Sequence, residues 1–216
     1  MNDIVSTLNG YIWSPALIYL CLGVGLYFSI RTRFVQVRGF GEMIHLMFVG
    51  KTSFAGVSSF QALTMSLSGR VGTGNIAGVA TAISIGGPGA VFWMWLVAFL
   101  GASTAYIEST LGQIYKEKDD KGLYRGGPAF YIEKAMGQKW YAMIFVVATI
   151  IATGFLLPGV QANSIAAGFD NAWGISTTVS AVGMVLVLGL IIFGGVKRIA
   201  LFAEIVVPFM ALAYVI

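Results

Sequence analysis

Charge is what this sequence has least of. Only 10% of its residues are Asp, Glu, Lys or Arg, where a soluble domain carries about 25%. With a mean hydropathy of +0.84, that shortage excludes a soluble globular chain and points to a polytopic membrane protein. Lys and Arg number 13 against 9 Asp and Glu. In a soluble chain this excess would suggest nucleic acid; here the cations gather in particular loops, which is a topology signal, and no nucleic-acid partner is expected. Cysteine is nearly absent. Cys21 stands alone in an apolar run, so no internal disulfide can form and redox compartment is left open. Histidine is just as scarce, and His45 reads as an interfacial or packed imidazole rather than a metal ligand. Paired carboxylates, a Ser/His pair and a metal-binding motif are all missing, so no catalytic residue, organic cofactor or intramembrane enzyme is expected. The start of the chain has no basic segment and no A-x-A cleavage site, so the first apolar segment is expected to be retained.

What the sequence has instead is apolar length. Six stretches are expected to cross a bilayer: residues 12–30, 57–85, 89–115, 140–169, 176–193 and 199–216. Between the first two, Phe40, Met43, Ile44, Met47 and Phe48 share a face, which predicts a short amphipathic helix along the inner surface. Gly126, Gly127 and Pro128 introduce a second short surface helix over residues 129–136. Arg31, Arg33, Arg38 and Lys51, then the run from Lys116 to Arg125 including Lys121, then Lys139, Lys197 and Arg198, all fall on one side of this arrangement. That side is read as cytoplasmic, which places the N-terminus outside and the protein in the cell membrane as a multi-pass chain. Asp170 and Asn171 are expected to form an outer turn, and residues 194–198 an inner loop. The last stretch reaches Ile216 without a polar flank, so a longer protein is expected.

One stretch breaks the pattern. In SLSGRVGTGNIAGVATA (residues 66–82), Gly69, Gly72 and Gly74 stand beside Arg70 and Asn75 in the middle of an otherwise apolar crossing. Each unpaired backbone group in hydrocarbon costs several kcal/mol, so irregular chain at that depth survives only beside a cavity or a ligand. The expected geometry is two half-helices. The first ends around Ser66 to Gly69 with carbonyls that suit a cation, and the second begins at Thr73 to Asn75 with amides that suit an anion. Gly72, Thr73, Gly74 and Asn75 are therefore the leading candidates for holding a solute with a carboxylate, the glycines letting it approach the backbone. Gly74, Gly78 and Ala82 could equally be a small-residue packing face. G-T-G-N-I-A also matches G-x-G-x-x-A, but no strand precedes it and no acidic residue follows about twenty positions on, so dinucleotide binding is not expected. Gln161 and Asn163, just after Pro158 and Gly159, are polar amides at a depth that demands partners, and either substrate or another helix could supply them. Arg70, Glu108 and Glu204 are the ionisable residues inside crossings. Arg70 and Glu108 are expected to act structurally or in gating, Glu108 by steadying the unwound backbone or pairing with Arg70.

The run GGPGAVFWMWLVAFLG (residues 86–101), with SGRVGTGNIAGVA before it and YRGGPAFYIEKAMG after it, resembles the alanine/glycine:cation symporter family. The signature of that family is a double glycine followed by Phe-Trp-Met-Trp. The resemblance covers essentially the whole chain, although the family's proteins are longer. It implies an all-α broken-helix fold of the amino acid-polyamine-cation superfamily, with two five-helix repeats of inverted topology. On that reading, residues 1–56 hold an extra transmembrane helix and the surface helix. Residues 57–216 are the first repeat, and the second half of the same transporter is a required partner. It also implies a function, the import of a small neutral amino acid, alanine or glycine, with sodium as the coupling ion, by alternating access. The backbone carbonyls of Ser68 and Val71 match positions where related broken helices bind sodium. A proton-coupled carrier is the nearest alternative. A channel is less suited, because a selectivity filter needs a symmetric ring and this break occurs once.

Overall fold

The computed structural model describes residues 2–49, 57–120 and 122–215. Lys51, Lys121 and Ile216, used above to assign sides and ends, lie outside the described residues. The chain opens with two consecutive helices, α1 (Asn2–Ile12) and α2 (Pro15–Arg31). Ser14 is extended (φ −67°, ψ 157°) and Pro15 takes the first helical position, where its missing N–H costs nothing. Together they form an apolar stretch, Ile4–Arg31, that begins earlier than expected from the sequence. The surface segment divides into α3 (Val35–Arg38) and α4 (Phe40–Val49). Next come α5 (Ser59–Arg70), a π-helical turn at Gly74–Gly78 and α6 (Val79–Gly86). Gly87, at φ 71° and ψ −177°, turns the chain into α7 (Gly89–Ile114).

The charged run after α7, expected as a plain loop, forms a small antiparallel hairpin, β1 (Glu117–Lys118) and β2 (Tyr124–Arg125), with Glu117 opposite Arg125. Asp119 organises it, since its carboxylate accepts from the Leu123 amide (2.9 Å) and lies 3.4 Å from Arg125. The helix α8 (Pro128–Met136) follows as expected and ends at Gly137 in the left-handed region. Next, α9 (Lys139–Ile151), a second π-helical turn at Ala152–Leu156 and α10 (Leu157–Trp173) form one long rod. Asp170 and Asn171 are not a turn. The helix runs through them to Gly174 (φ 67°, ψ 20°), because a glycine there can take the left-handed cap that ends a helix at no steric cost. The last two helices are α11 (Thr177–Ile192), which is capped by Ser176, and α12 (Gly195–Val215). The expected loop over residues 194–198 is shorter than read, since Gly195 (φ 73°) reverses the chain at once and Lys197 and Arg198 sit in the first turn of α12.

Three helices among the described residues are long and apolar enough to cross a membrane: Ile4–Arg31, Gly89–Ile114 and Lys139–Trp173. The other expected crossings lack that continuity. Residues 57–85 are divided at Val71 and Gly72, and α11 and α12 reach the required apolar length only together, meeting at 115°.

The packing inverts that of a soluble protein. The buried set is small or hydroxylated: Ser29, Thr64, Ser103, Ser180, Ala142, Ala166, Ala200 and Ala203, with Ile132 and Val207. Large apolar side chains point outward, with Phe193 95% exposed. Where the surroundings are hydrocarbon nothing drives large side chains inward, and small residues let helix backbones approach. At the α2–α7 crossing, a Cβ on Gly25 would stand 3.0 Å from the Leu100 Cβ. Ser29 and Ser103 are there 0% exposed and bridge the helices. The Ser29 hydroxyl lies 2.8 Å from the Gly25 carbonyl and 3.1 Å from the Ser103 Oγ, and Gln36 Nε2 donates to Ser29 (3.0 Å). The other close pairing is α5 with α12, where Thr64 is buried and the Gln61 Nε2 donates to the Glu204 carboxylate (2.9 Å). Gln61 also closes a reciprocal cap with Ser58 at the start of α5.

Candidate functional site

The break is where the composition of residues 66–82 placed it, but it is shorter. Helix α5 continues through Gly69 to Arg70, one residue past the expected end, and Val71 then leaves the helix (φ −96°, ψ 119°). Gly72 is the other non-helical residue, and by Thr73 the chain is helical again. A two-residue interruption is enough to separate the carbonyl end of α5 from the amide end of the next half-helix.

Gly72 lies against Gln161 of α10. A Cβ at residue 72 would stand 2.7 Å from the Gln161 Nε2 and 3.0 Å from its Oε1, so a glycine lets this side chain reach the break. Gln161 Oε1 accepts two hydrogen bonds from one residue, the Thr73 amide at 3.0 Å and the Thr73 hydroxyl at 2.9 Å. The Asn75 Oδ1 accepts from the Gly72 amide (2.9 Å), and the Asn75 amide donates back to the Gly72 carbonyl (3.0 Å). The Thr73 and Asn75 amides, expected to be free for a carboxylate, thus have partners in this chain. The physical reason differs between the two: the Gln161 side-chain oxygen offers the Thr73 amide the same kind of acceptor as a carboxylate, without its charge, while the Asn75 amide closes a turn onto the Gly72 carbonyl. From the other side, the Tyr214 hydroxyl of α12 donates to the Asn75 carbonyl (3.1 Å).

A cavity of about 500 Å3 opens beside these contacts, bordered by Ser68, Gly69, Arg70, Val71, Gly72, Gly74 and Asn75 from the broken segment. Thr153, Leu157, Pro158 and Gln161 border it from the long rod. The rod has its π-helical turn, Ala152–Leu156, at this level, just before Pro158. Proline cannot donate to the preceding turn and its ring crowds the carbonyl four residues back, so a widened turn is one way to accommodate it. Thr153 was missed from sequence, though a proline inside an apolar helix was a visible warning of local irregularity. Its hydroxyl donates to the Thr149 carbonyl (2.7 Å).

Asn163 does not join this group. It is exposed and does not border the cavity, because two residues beyond Gln161 a helical side chain points about 200° away. Ser68 and Val71 do border it, and the Ser68 hydroxyl is turned back to the Met65 carbonyl (2.8 Å). His45 has only Glu42 at helical spacing. Among the described residues, no group of three or more His, Cys, Asp or Glu could hold a metal ion. The oxygens that border the break are neutral ones, of the backbone and of Ser68, Asn75, Thr153 and Gln161.

Arg70 borders this cavity and a second one of about 400 Å3, shared with Glu108, Gln113, Lys116, Arg125 and the Gly126–Gly127–Pro128 turn. Arg70 and Glu108 face the same space but form no ion pair with each other. Glu108 acts instead on its neighbour in α8: burial first, then the Glu108 carboxylate, holds the Tyr131 phenol above its ordinary range. Glu204, the third ionisable residue inside a crossing, is engaged with Gln61.

The family model described as the sodium:alanine symporter family matches residues 1–216. A Bacillus subtilis protein named a putative sodium/proton-dependent alanine carrier is 64% identical over 216 residues, all of this chain and 44% of that protein. Another from the same organism, named a probable sodium/glutamine symporter, is 44% identical over 217 residues, covering 100% of this chain and 45% of the relative. The sodium/alanine symporter AgcS of Methanococcus maripaludis is 37% identical over 221 residues, 99% of this chain and 49% of AgcS. The chain thus spans about half the length of the relatives it matches.

Proposed function

The chain belongs to the sodium:alanine symporter family, a family of transporters rather than enzymes, and on that premise we propose that it forms the substrate-binding half of a secondary active transporter for a small neutral amino acid. Alanine or glycine would be the solute, sodium the coupling ion and alternating access the means. Residues 57–216 then make up the first inverted repeat, and a second half completes both sites. The observation that carries this reading is the two-residue break, with Gln161 bonded to its Thr73 end, beside a cavity.

In use, the amino acid's carboxylate displaces the Gln161 amide oxygen from the Thr73 amide and hydroxyl. Gly72 and Gly74 leave room for it beside the backbone. A carboxylate is the stronger acceptor, since hydrogen bonds to an ionised group are roughly twice as strong as neutral ones. The positive end of the second half-helix favours it further. The released Gln161 amide is then positioned to meet the bound solute. Sodium sits at the opposite end of the break, on the carbonyls of Ser68 and Val71 with oxygens from the second half. One sodium ion entering down about 100 mV and a tenfold gradient supplies roughly 3.7 kcal/mol, enough for several-hundredfold accumulation.

Proton coupling is the second reading, favoured by the relative whose name gives both ions. Uptake of labelled alanine into proteoliposomes carrying the natural-length protein separates the two. An inward sodium gradient at equal pH on both sides is expected to drive accumulation. Equal uptake with and without that gradient would remove sodium coupling, and accumulation driven by a pH gradient alone would establish the proton reading.

A further inference from the structure

Away from the break, a cavity of about 310 Å3 is bordered by Arg31, Thr32, Arg33, Val35, Arg38 and Tyr106. We propose that it binds the phosphate of an anionic lipid headgroup.

Three arginines border this space, and no carboxylate does. None of the three arginines forms an ion pair among the described residues, and the Tyr106 hydroxyl makes no hydrogen bond within them. In a straight helix Arg33 would point away from Arg31 and Arg38, because two residues correspond to about 200°. A backbone reversal brings them together. Arg33 (φ 54°) and Phe34 (φ 52°) are the non-glycine residues in the left-handed region among the described residues.

Such a conformation persists only where its surroundings hold it, and they do. The Phe34 amide donates to the Ser29 carbonyl (2.7 Å) and the Thr32 hydroxyl to the Phe28 carbonyl (2.7 Å). The Gln36 amide is inserted into the fully buried Ser29–Ser103 pair between α2 and α7. A basic loop that served only to orient the chain in the membrane would need neither the reversal nor its anchors.

The place selects a lipid over a free anion. Arg31 ends a helix long and apolar enough to span the bilayer, so the cavity lies at headgroup depth. Phe34, between the cavity residues Arg33 and Val35 in sequence, is exposed, which gives acyl chains an apolar surface that inorganic phosphate would not use. Guanidinium forks suit the tetrahedral phosphate of such a headgroup. This site is independent of the transport reading, and its test does not use transport.

The natural-length protein in phosphatidylcholine nanodiscs, with and without phosphatidylglycerol, is examined by native mass spectrometry for retained lipid and by thermal unfolding. Retention of phosphatidylglycerol is expected to weaken about fivefold for each of Arg31→Gln, Arg33→Gln and Arg38→Gln. The triple variant should lose on the order of a hundredfold. The single variants carry the test if the triple variant does not fold. Arg125→Gln, outside the cavity, should retain lipid as the parent does. Unchanged retention in the three variants, or equal loss in Arg125→Gln, would overturn the site. Equal protection by inorganic phosphate without lipid would overturn the lipid as its ligand.

Discussion

Two places in this molecule put glycine beside hydrogen-bonding side chains in apolar helices, and they use them in opposite ways. At the α2–α7 crossing, Gly25 brings the backbones close, and Ser29 and Ser103 close a network with no exposure at all. At the break, Gly72 also makes room for a neighbour, Gln161, but Gly74 and Asn75 are exposed and the contacts border open space. In the first arrangement both hydroxyls are sealed from the surroundings. The second is satisfied by Gln161, Asn75 and the Gly72 carbonyl beside open space. Polar groups in a membrane protein therefore read as structure when they are sealed, and as a site when they face a cavity.

Substitutions that affect one region and spare the other sharpen this contrast. The largest effect is expected from Gln161→Glu. A glutamate can still accept from both Thr73 donors, so a purely structural Gln161 would tolerate it. As an occupant of the carboxylate position it should instead lower alanine affinity about a hundredfold, the scale of two charge-assisted hydrogen bonds, with the unfolding midpoint unchanged. Calorimetric titration and thermal unfolding of the same preparation report both quantities. Asn75→Ala comes next. It leaves the Gly72 amide beside the cavity without its partner and should weaken alanine binding about tenfold without unfolding the protein. Unchanged affinity would remove Asn75 from the site. The smallest effect is expected at the sealed crossing. Ser103→Val should lower stability by about 1 kcal/mol while leaving uptake per folded molecule as it was. Loss of uptake there at unchanged stability would erase the distinction between the two regions.

Much of this was visible in the letters, and the reasons differ by feature. Glycines and an arginine inside an apolar crossing can hardly be read otherwise than as a break, so its place was legible. Its length was not. Whether the helix resumes after two residues or six depends on Gln161, 88 positions away, supplying an acceptor to Thr73. Neither π-helical turn left a mark in the apolar pattern, because a phase shift does not show in segments that are apolar or small on every face, and only Pro158 hinted at the second. Asn163 looked as suitable as Gln161 until the helix phase separated them. The Ser29–Ser103 pair and the contact of Gln61 with Glu204 join distant parts of the chain through small or single side chains that no local pattern marks. The hairpin at Glu117–Lys118 and Tyr124–Arg125 was masked by its charge, which signalled a loop facing water and said nothing about pairing.

The central claim is that a small zwitterion takes over the hydrogen-bonding groups at the break. Hydrogen exchange on the natural-length protein in sodium, with and without saturating alanine, follows those groups directly. Amides of residues 72–75 should exchange more slowly with alanine present, while those of the α2–α7 crossing stay unchanged. Bound alanine with no change at residues 72–75 would contradict the account.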